Sequence, residues 1–233
     1  MDTATLIARE SFVERGARER VAGLLDAGTM RELLDPFERL RSPWLAEQDI
    51  VTQADDGVVI ARGAIAGTAV VCCAVEPAFQ GGAIGEVGGA KIAGALELAL
   101  EDAEAGRPVV PVLLLETGGV RLQEANCGLA AIAEIHAAIA ALRAHVPVVG
   151  VVAGPVGCFG GMPPHTPCEA VVEVACLEHS AQGATATMAS ALRWVKLPPG
   201  RATSSSLPMT THAVKMLRIS AGRSLRERHR HAK

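Results

Sequence analysis

Two adjacent glycines, Gly118 and Gly119, stand between an apolar run, Val109 to Leu115, and a long helical pattern, within Glu116-Thr117-Gly118-Gly119-Val120-Arg121-Leu122-Gln123-Glu124. A strand-to-helix turn of this kind aims backbone N–H groups at whatever lies over the helix N-terminus. Neither glycine carries a side chain, so a carbonyl oxygen can come within hydrogen-bonding range of those donors. The chemistry this suits is stabilisation of an oxyanion by backbone amides, with no catalytic side chain. The competing reading of a Gly-Gly pair is a tight turn and nothing more.

The elements around this turn repeat. Gly57 to Glu76 reads as two extended runs, GVVIARGAI and TAVVCCAVE, joined at Ala66-Gly67 and rich in Val and Ile. A glycine-dense loop, Gln80 to Gly89, leads into KIAGALELALEDAEAG, whose Ile92, Leu96, Ala99, Leu100 and Ala103 share one helical face. The second unit is the strand Val109 to Leu115, the glycine turn, and a helix predicted from about Arg121 to His145. Its apolar face is Leu122, Ala125, Leu129, Ile132, Ile135, Ile139 and Leu142. A third unit opens with VPVVGVVAG and the turn Pro155 to Gly161. The loop glycines Gly81, Gly82 and Gly85 do not have G-x-G-x-x-G spacing, and no acidic residue follows a second strand, which argues against a dinucleotide site.

The third helix does not follow. In its place come Pro163, Pro164 and Pro167 around His165, and proline inside a helix costs about 3 kcal/mol. Charge changes at the same point, from 12 Lys and Arg against 21 Asp and Glu up to Met162 to 10 against 4 beyond it. Downstream only Glu169 to Leu177 has the pattern of a strand or short helix. A switch to Arg, His, Pro and Ser in mid-unit reads as translation in a shifted frame, giving a poorly ordered basic tail over 163–233. The coding DNA tests this: if the neighbouring frame after codon 162 gives no glycine- and alanine-rich continuation, the idea fails. The tail Arg223 to Lys233 has no aromatic residue to stack a base, which argues against nucleic acid.

Residues 1–56 are charged and helical in pattern, with Glu14 to Ala27 a helix and Thr29 the expected N-cap of a short helix ending before Pro36. We read this segment as a packing arm without catalytic chemistry, ahead of a core over 57–162. At 233 residues and 49% apolar composition the chain is long enough to bury a full core. It has no run of about 18 uncharged apolar residues, and Met1 to Glu10 carries charges instead of a signal core, so a soluble cytoplasmic protein without membrane contact is expected. The six cysteines form no C-x-x-C pair, and no cluster has metal-ligand spacing, so neither zinc nor a disulfide framework is expected. Cys72 and Cys73 are strand neighbours pointing to opposite faces.

The segments ARERVAGLLDAGTMRELLDP, QGGAIGEVGGAKI, TGGVRLQEAN and GPVGCFGGM, in this order, resemble the carboxyltransferase branch of the crotonase-like superfamily. They are most similar to the beta subunits of biotin-independent malonate decarboxylases. The resemblance covers about Ser11 to Met162. It implies an α/β fold of repeated ββα units in a spiral, incomplete at the C-terminal side and preceded by a helical arm. It also implies decarboxylation of a malonyl thioester to an acetyl thioester through an enolate held by backbone amides. The carrier would be the prosthetic thiol of an acyl carrier protein, with no cofactor bound by the chain itself. A second, gamma-like carboxyltransferase-type subunit would be the other partner.

On this resemblance Gly118 and Gly119 are the catalytic pair, and Gly81, Gly82, Gly85, Arg121, Gly160 and Gly161 line the substrate path. Gly160 and Gly161 also suit a plain turn, and Arg121 suits a surface salt bridge as well as a substrate carboxylate or phosphate. His136 fits a core or interface position better than a catalytic one, and His145 fits the end of its helix, where a cation suits the dipole. For Gln123 and Glu124 the favourable first-turn placement competes with a role in orienting the thioester arm. Two alternatives stand beside the decarboxylase: a carboxyltransferase subunit of an acyl-CoA carboxylase, and an inactive truncated or frameshifted scaffold. Against the first, the bacterial acetyl-CoA carboxylase beta subunit carries an N-terminal four-cysteine zinc ribbon, and this chain has no cysteine before Cys72.

Overall fold

The strands at the centre of the molecule are buried on both faces, which is why their sequences show no alternation. The computed structural model describes residues 12–159, together with the strand backbones 170–174 and 192–195. Among these residues the order is α1 (Ala17–Leu24), β1 (Arg31–Leu33), α2 (Pro43–Glu47), β2 (Val58–Ile65), β3 (Thr68–Val75), β4 (Ala83–Ile84), α3 (Glu86–Glu104), β5 (Val110–Leu114), β6 (Gly119–Val120), α4 (Asn126–Leu142), β7 (Val149–Ala153), β8 (Ala170–Val174) and β9 (Leu192–Val195). A seven-stranded sheet runs β1-β2-β3-β5-β7-β8-β9, and β4 pairs with β6 in a separate two-stranded ribbon. β3, β5, β7 and β8 are parallel neighbours.

The two apolar runs over Gly57 to Glu76 form the β2–β3 hairpin, with Ile65 opposite Thr68. Its two-residue turn has Ala66 and Gly67 at φ 50° and 79°, the left-handed pair that matches strand twist. Asp26 holds this turn by accepting from Ala66 N at 3.1 Å and Gly67 N at 2.8 Å. Ile92, Leu96 and Ala99 of α3 and Ile132, Ile135, Ile139 and Leu142 of α4 pack on Ile60, Val71, Cys73 and Leu113. Ala17, Val21 and Leu25 cover the opposite face, against Val59, Val70, Cys72 and Val112. Each such fully buried large side chain contributes roughly 1.5–3 kcal/mol. Cys72 and Cys73 accordingly lie on opposite faces.

Four expectations need correction. Thr29 caps no helix; its hydroxyl donates to Asp26 O at 2.7 Å and accepts from Ala64 N at 3.1 Å. Arg31–Leu33 is an edge strand paired with β2, so sheet pairing overrides the local cap signal and the arm is not wholly helical. The helix expected from Lys91 begins at Glu86, and a Cβ on its Gly89 would lie 2.5 Å from Ala131 Cβ, which sets how closely α3 and α4 approach. The helix expected from Arg121 begins at Asn126, after a 3-10 turn at Leu122–Glu124 and a reversal at Ala125 (φ 47°). Leu122 is therefore exposed (83%), and Leu129, within α4, is exposed as well (54%); neither is on the core face.

The sheet also continues beyond Met162. Val171 to Val174, β-branched and apolar apart from Glu173, pair in parallel with β7, and β9 then pairs antiparallel with β8.

Candidate functional site

In an open parallel sheet, ligands bind beyond the carboxyl ends of the strands. Three turns meet there, Gln80–Gly82 after β3, Glu116–Gly119 after β5 and Gly154–Cys158 after β7. Backbone bonds stitch them together: Gly118 N to Gly81 O at 3.0 Å, Thr117 N to Gly157 O at 2.9 Å, and Phe159 N to Thr117 O at 2.9 Å. A Cβ on Gly82 would lie 2.2 Å from Glu116 O, so only glycine lets the first turn seat on the second. Gly81 is exposed, and a Cβ placed there would meet nothing within 4 Å. Gly160 and Gly161 lie outside the described residues.

The amides of Gly118 and Gly119 do not stand open as the sequence suggested. Gly118 N–H donates to Gly81 O, and Gly119 N–H donates to Thr117 Oγ1 at 3.0 Å. A substrate oxygen would have to displace one of these acceptors to use either donor.

Arg121 is not at the surface. It is 1% exposed, and its guanidinium donates to Asp56 Oδ1 and Glu124 Oε1 at 2.8 Å each and to Ala83 O at 3.0 Å. The Phe79 ring lies over it, 5.1 Å from Cζ to centroid, and its Nε has no partner. A Cβ on Gly85 would lie 2.5 Å from both Arg121 Nη1 and Glu124 Oε2, so Gly85 makes room for this network. Residues 121–124 leave the α4 axis because two of their side chains turn inward to the same ion cluster.

Glu124 serves a helix other than its own. Its carboxylate accepts from Ser42 Oγ at 2.6 Å and from the N–H of Glu86, the first residue of α3. Asp56 accepts from Gly88 N at 2.8 Å. Two distant carboxylates thus cap α3, and its N-terminus offers no place for an anion. Lys91, in the second turn of α3, donates to Asp55 O at 2.9 Å, and burial holds its pKa below the ordinary lysine value. Cys158 sits beside Thr117, but burial pushes its thiol up to about 11, which leaves no thiolate nucleophile at neutral pH. His136 is half-buried on α4. Among the described residues no group of three or more His, Cys, Asp or Glu is placed to hold a metal.

The network has a pH signature. Burial acts to raise the Glu124 carboxyl, but Ser42, the Glu86 amide and Arg121 outweigh it, and its pKa falls below the ordinary 4.5. Such a group adds stability that is fully present above the unfolded-state pKa and lost as pH falls through the folded one. Asp56 runs the other way, raised by burial against the pull of Arg121, so its term is present in acid and lost as pH rises. Glu124→Gln is therefore expected to flatten the loss of stability below pH 4.5, read as urea midpoints across that range. Equal acid slopes in the two proteins would sink the assignment.

A sequence profile of the carboxyl transferase domain matches residues 14–171. The malonyl-S-ACP:biotin-protein carboxyltransferase MADC of Malonomonas rubra is 40% identical over 168 residues, covering 68% of this chain and 53% of its own length. A Pseudomonas malonate decarboxylase hetero-tetramer solved with malonate matches at 63% identity and TM-score 0.70, over 74% of this chain and 63% of that one. The Pseudomonas MdcD–MdcE hetero-dimer matches at 56% identity and TM-score 0.60, over 70% and 63%. The chain spans about half the length of the curated relative and under two thirds of the solved chains. The fold is α/β and crotonase-like.

Proposed function

The chain belongs to the carboxyl transferase domain family, and on that premise we propose that it acts as the beta-type subunit of a malonate decarboxylase. The observation that carries this is its 63% identity to a chain of a malonate decarboxylase hetero-tetramer, against 40% to the biotin-protein carboxyltransferase. The reaction breaks the bond between the α-carbon and the free carboxyl of a malonyl thioester and releases CO2. The electron pair left behind spreads onto the thioester oxygen as an enolate, and the α-carbon then takes a proton from water to give the acetyl thioester. What accelerates this is hydrogen-bond donation to that oxygen as its charge grows. Each well-placed donor is typically worth about 2.7–4 kcal/mol of barrier.

The three stitched turns bring backbone amides together at the strand ends, which suits that task. Gly118 and Gly119 are proposed as donors by exchange, the substrate oxygen taking the place of Gly81 O or Thr117 Oγ1. Gly81 is proposed to flank the thioester path, and Gly160 and Gly161, outside the described residues, remain proposed lining on the resemblance alone. Arg121, Gly82 and Gly85 are not part of this proposal, since each is taken up by internal contacts. The carrier is proposed to be an acyl carrier protein presenting its prosthetic thiol, with no metal or biotin on this chain.

A gamma-like carboxyltransferase-type subunit is the proposed second partner. Its support on this molecule is the outer face of α4, where Leu129, Ala130, Ala133, Ala137, Ala140 and Ala141 are exposed with Glu134 as the one charge between them. No described helix is long and apolar enough to cross a membrane, and we propose a cytoplasmic assembly. The division into an arm (1–56), a core (57–162) and a shifted-frame tail (163–233) is likewise a proposal.

The name of the Malonomonas relative favours a second reading, in which the carboxyl passes to a biotin protein. Co-purified subunits given a malonyl thioester labelled in the free carboxyl separate the two. Label released as CO2 without any biotin protein is the expected result. Turnover that requires a biotin protein and leaves label on it would replace the decarboxylase reading with a carboxyltransferase one.

A further inference from the structure

Arg20, on the arm segment that the sequence marks as inert, reaches the floor of the site. Its Nε donates to Phe12 O at 3.1 Å, and its Nη2 to Val13 O at 2.6 Å. Its Nη1 donates to the Glu116 carboxylate and, at 3.4 Å, to Ala153 O. Arg20 is 3% exposed and Glu116 1%. The other carboxylate oxygen of Glu116 accepts from Val156 N at 3.2 Å. A Cβ on Gly154 would fall within 2.0–2.2 Å of the Glu116 carboxyl atoms, so this glycine leaves space for the carboxylate inside the β7 turn. One ion pair therefore ties three pieces of chain together, the arm, the Glu116–Gly119 turn and the Gly154–Cys158 turn.

Stability alone is a poor account of such a pair. Desolvating two charges offsets most of their attraction, and apolar replacement of both partners is often neutral. Arrangement is the better account, because both oxygens of Glu116 are committed to different segments and all three nitrogens of Arg20 find acceptors. We propose that Arg20 and Glu116 are a positioning pair that sets the spacing between the β5 and β7 turns, making the N-terminal arm a working part of the site. The geometry stands on its own; its consequence for turnover rests on the decarboxylase reading above.

The test is hydrogen exchange on the full chain in complex with its partner subunits. Arg20→Met is expected to speed exchange about tenfold or more at the amides of Thr117, Gly118 and Val156 while the β2–β3 hairpin stays protected. Arg18→Met is the control: Arg18 also lies on α1 but pairs with Glu32 and Asp55, and it should leave exchange at the turns unchanged. Should Arg20→Met yield no folded complex, Arg20→Lys is read instead, with the same local pattern at smaller amplitude. Uniform acceleration of hairpin and turns, or none at the turns, overturns the proposal.

Where the wild-type complex decarboxylates a malonyl thioester, Arg20→Met should lower kcat, by up to about 100-fold for a displacement near 1 Å, with KM nearly unchanged. Normal kcat per folded molecule would also overturn it. A wild-type complex without turnover sinks the functional reading and leaves the exchange result to decide this one.

Discussion

Arg121→Met is expected to remove about 3–5 kcal/mol of folding stability, the scale for a buried ion cluster stripped of its cation. Methionine keeps the unbranched stem as far as the place of Nε but leaves the Asp56 and Glu124 carboxylates without the guanidinium that donates to both at 2.8 Å. Each retains other donors, Gly88 N for Asp56 and Ser42 Oγ and Glu86 N for Glu124. Those bonds hold the two carboxyls in place, and without the cation burial and Glu124 push the Asp56 carboxyl further above the usual carboxylate range. The Phe79 ring loses its cation as well, a contact worth about 0.5–2 kcal/mol. Domains of this size are stable by only about 5–15 kcal/mol, so the variant should lose a large part of its margin. Neutralising the cluster with Asp56→Asn and Glu124→Gln in the same chain should restore part of the loss, because the unpaired charges are its source. Urea unfolding measures both. A loss under about 1 kcal/mol for Arg121→Met would mean that the cluster behaves as a screened surface pair.

What the sequence made legible was whatever depends on neighbours in the chain. Val58 to Val75 announced a hairpin through β-branched runs and an Ala-Gly turn, and the spacing of Ile132, Ile135, Ile139 and Leu142 announced the buried face of α4. The polar core was not legible, because its partners are far apart: Arg20 and Glu116 by 96 positions, Ser42 and Glu124 by 82, Asp56 and Arg121 by 65. Local rules misled where a distant partner outbid them. Glu124 has the position of a first-turn acid for the helix that follows, yet it caps α3. Thr29 has the look of an N-cap, yet it closes the edge of a hairpin. One signal was present in the sequence: Arg121 stands between Val120 and Leu122, and Asp55-Asp56 stands directly before an apolar strand. Charges set in apolar surroundings are rarely buried unless paired, and pairing these would have pointed to the cluster.

Thr117→Val is the sharpest test of whether backbone amides hold the enolate. Thr117 is fully buried, and its Oγ1 accepts from Gly119 N at 3.0 Å. Valine keeps the branched shape and removes that acceptor. A buried donor left without a partner costs about 1–3 kcal/mol, so the variant should be less stable by that amount in the absence of ligand. If the Gly119 amide donates to the thioester oxygen during turnover, a bound enolate analogue gives it back an acceptor. By linkage the penalty then disappears from the bound state, and the analogue should bind Thr117→Val about tenfold more tightly for each 1.4 kcal/mol recovered. Gly119→Val cannot make this distinction, because Gly119 sits at φ 100°, where a branched side chain adds about 1–3 kcal/mol of strain whatever the amide does. The measurement is unfolding of the Thr117→Val complex with and without the analogue, set beside its dissociation constant. A stability loss that is the same in both conditions, with unchanged affinity, would leave the Gly119 amide committed to the fold and Gly118 N, by exchange with Gly81 O, as the remaining donor proposed in this turn.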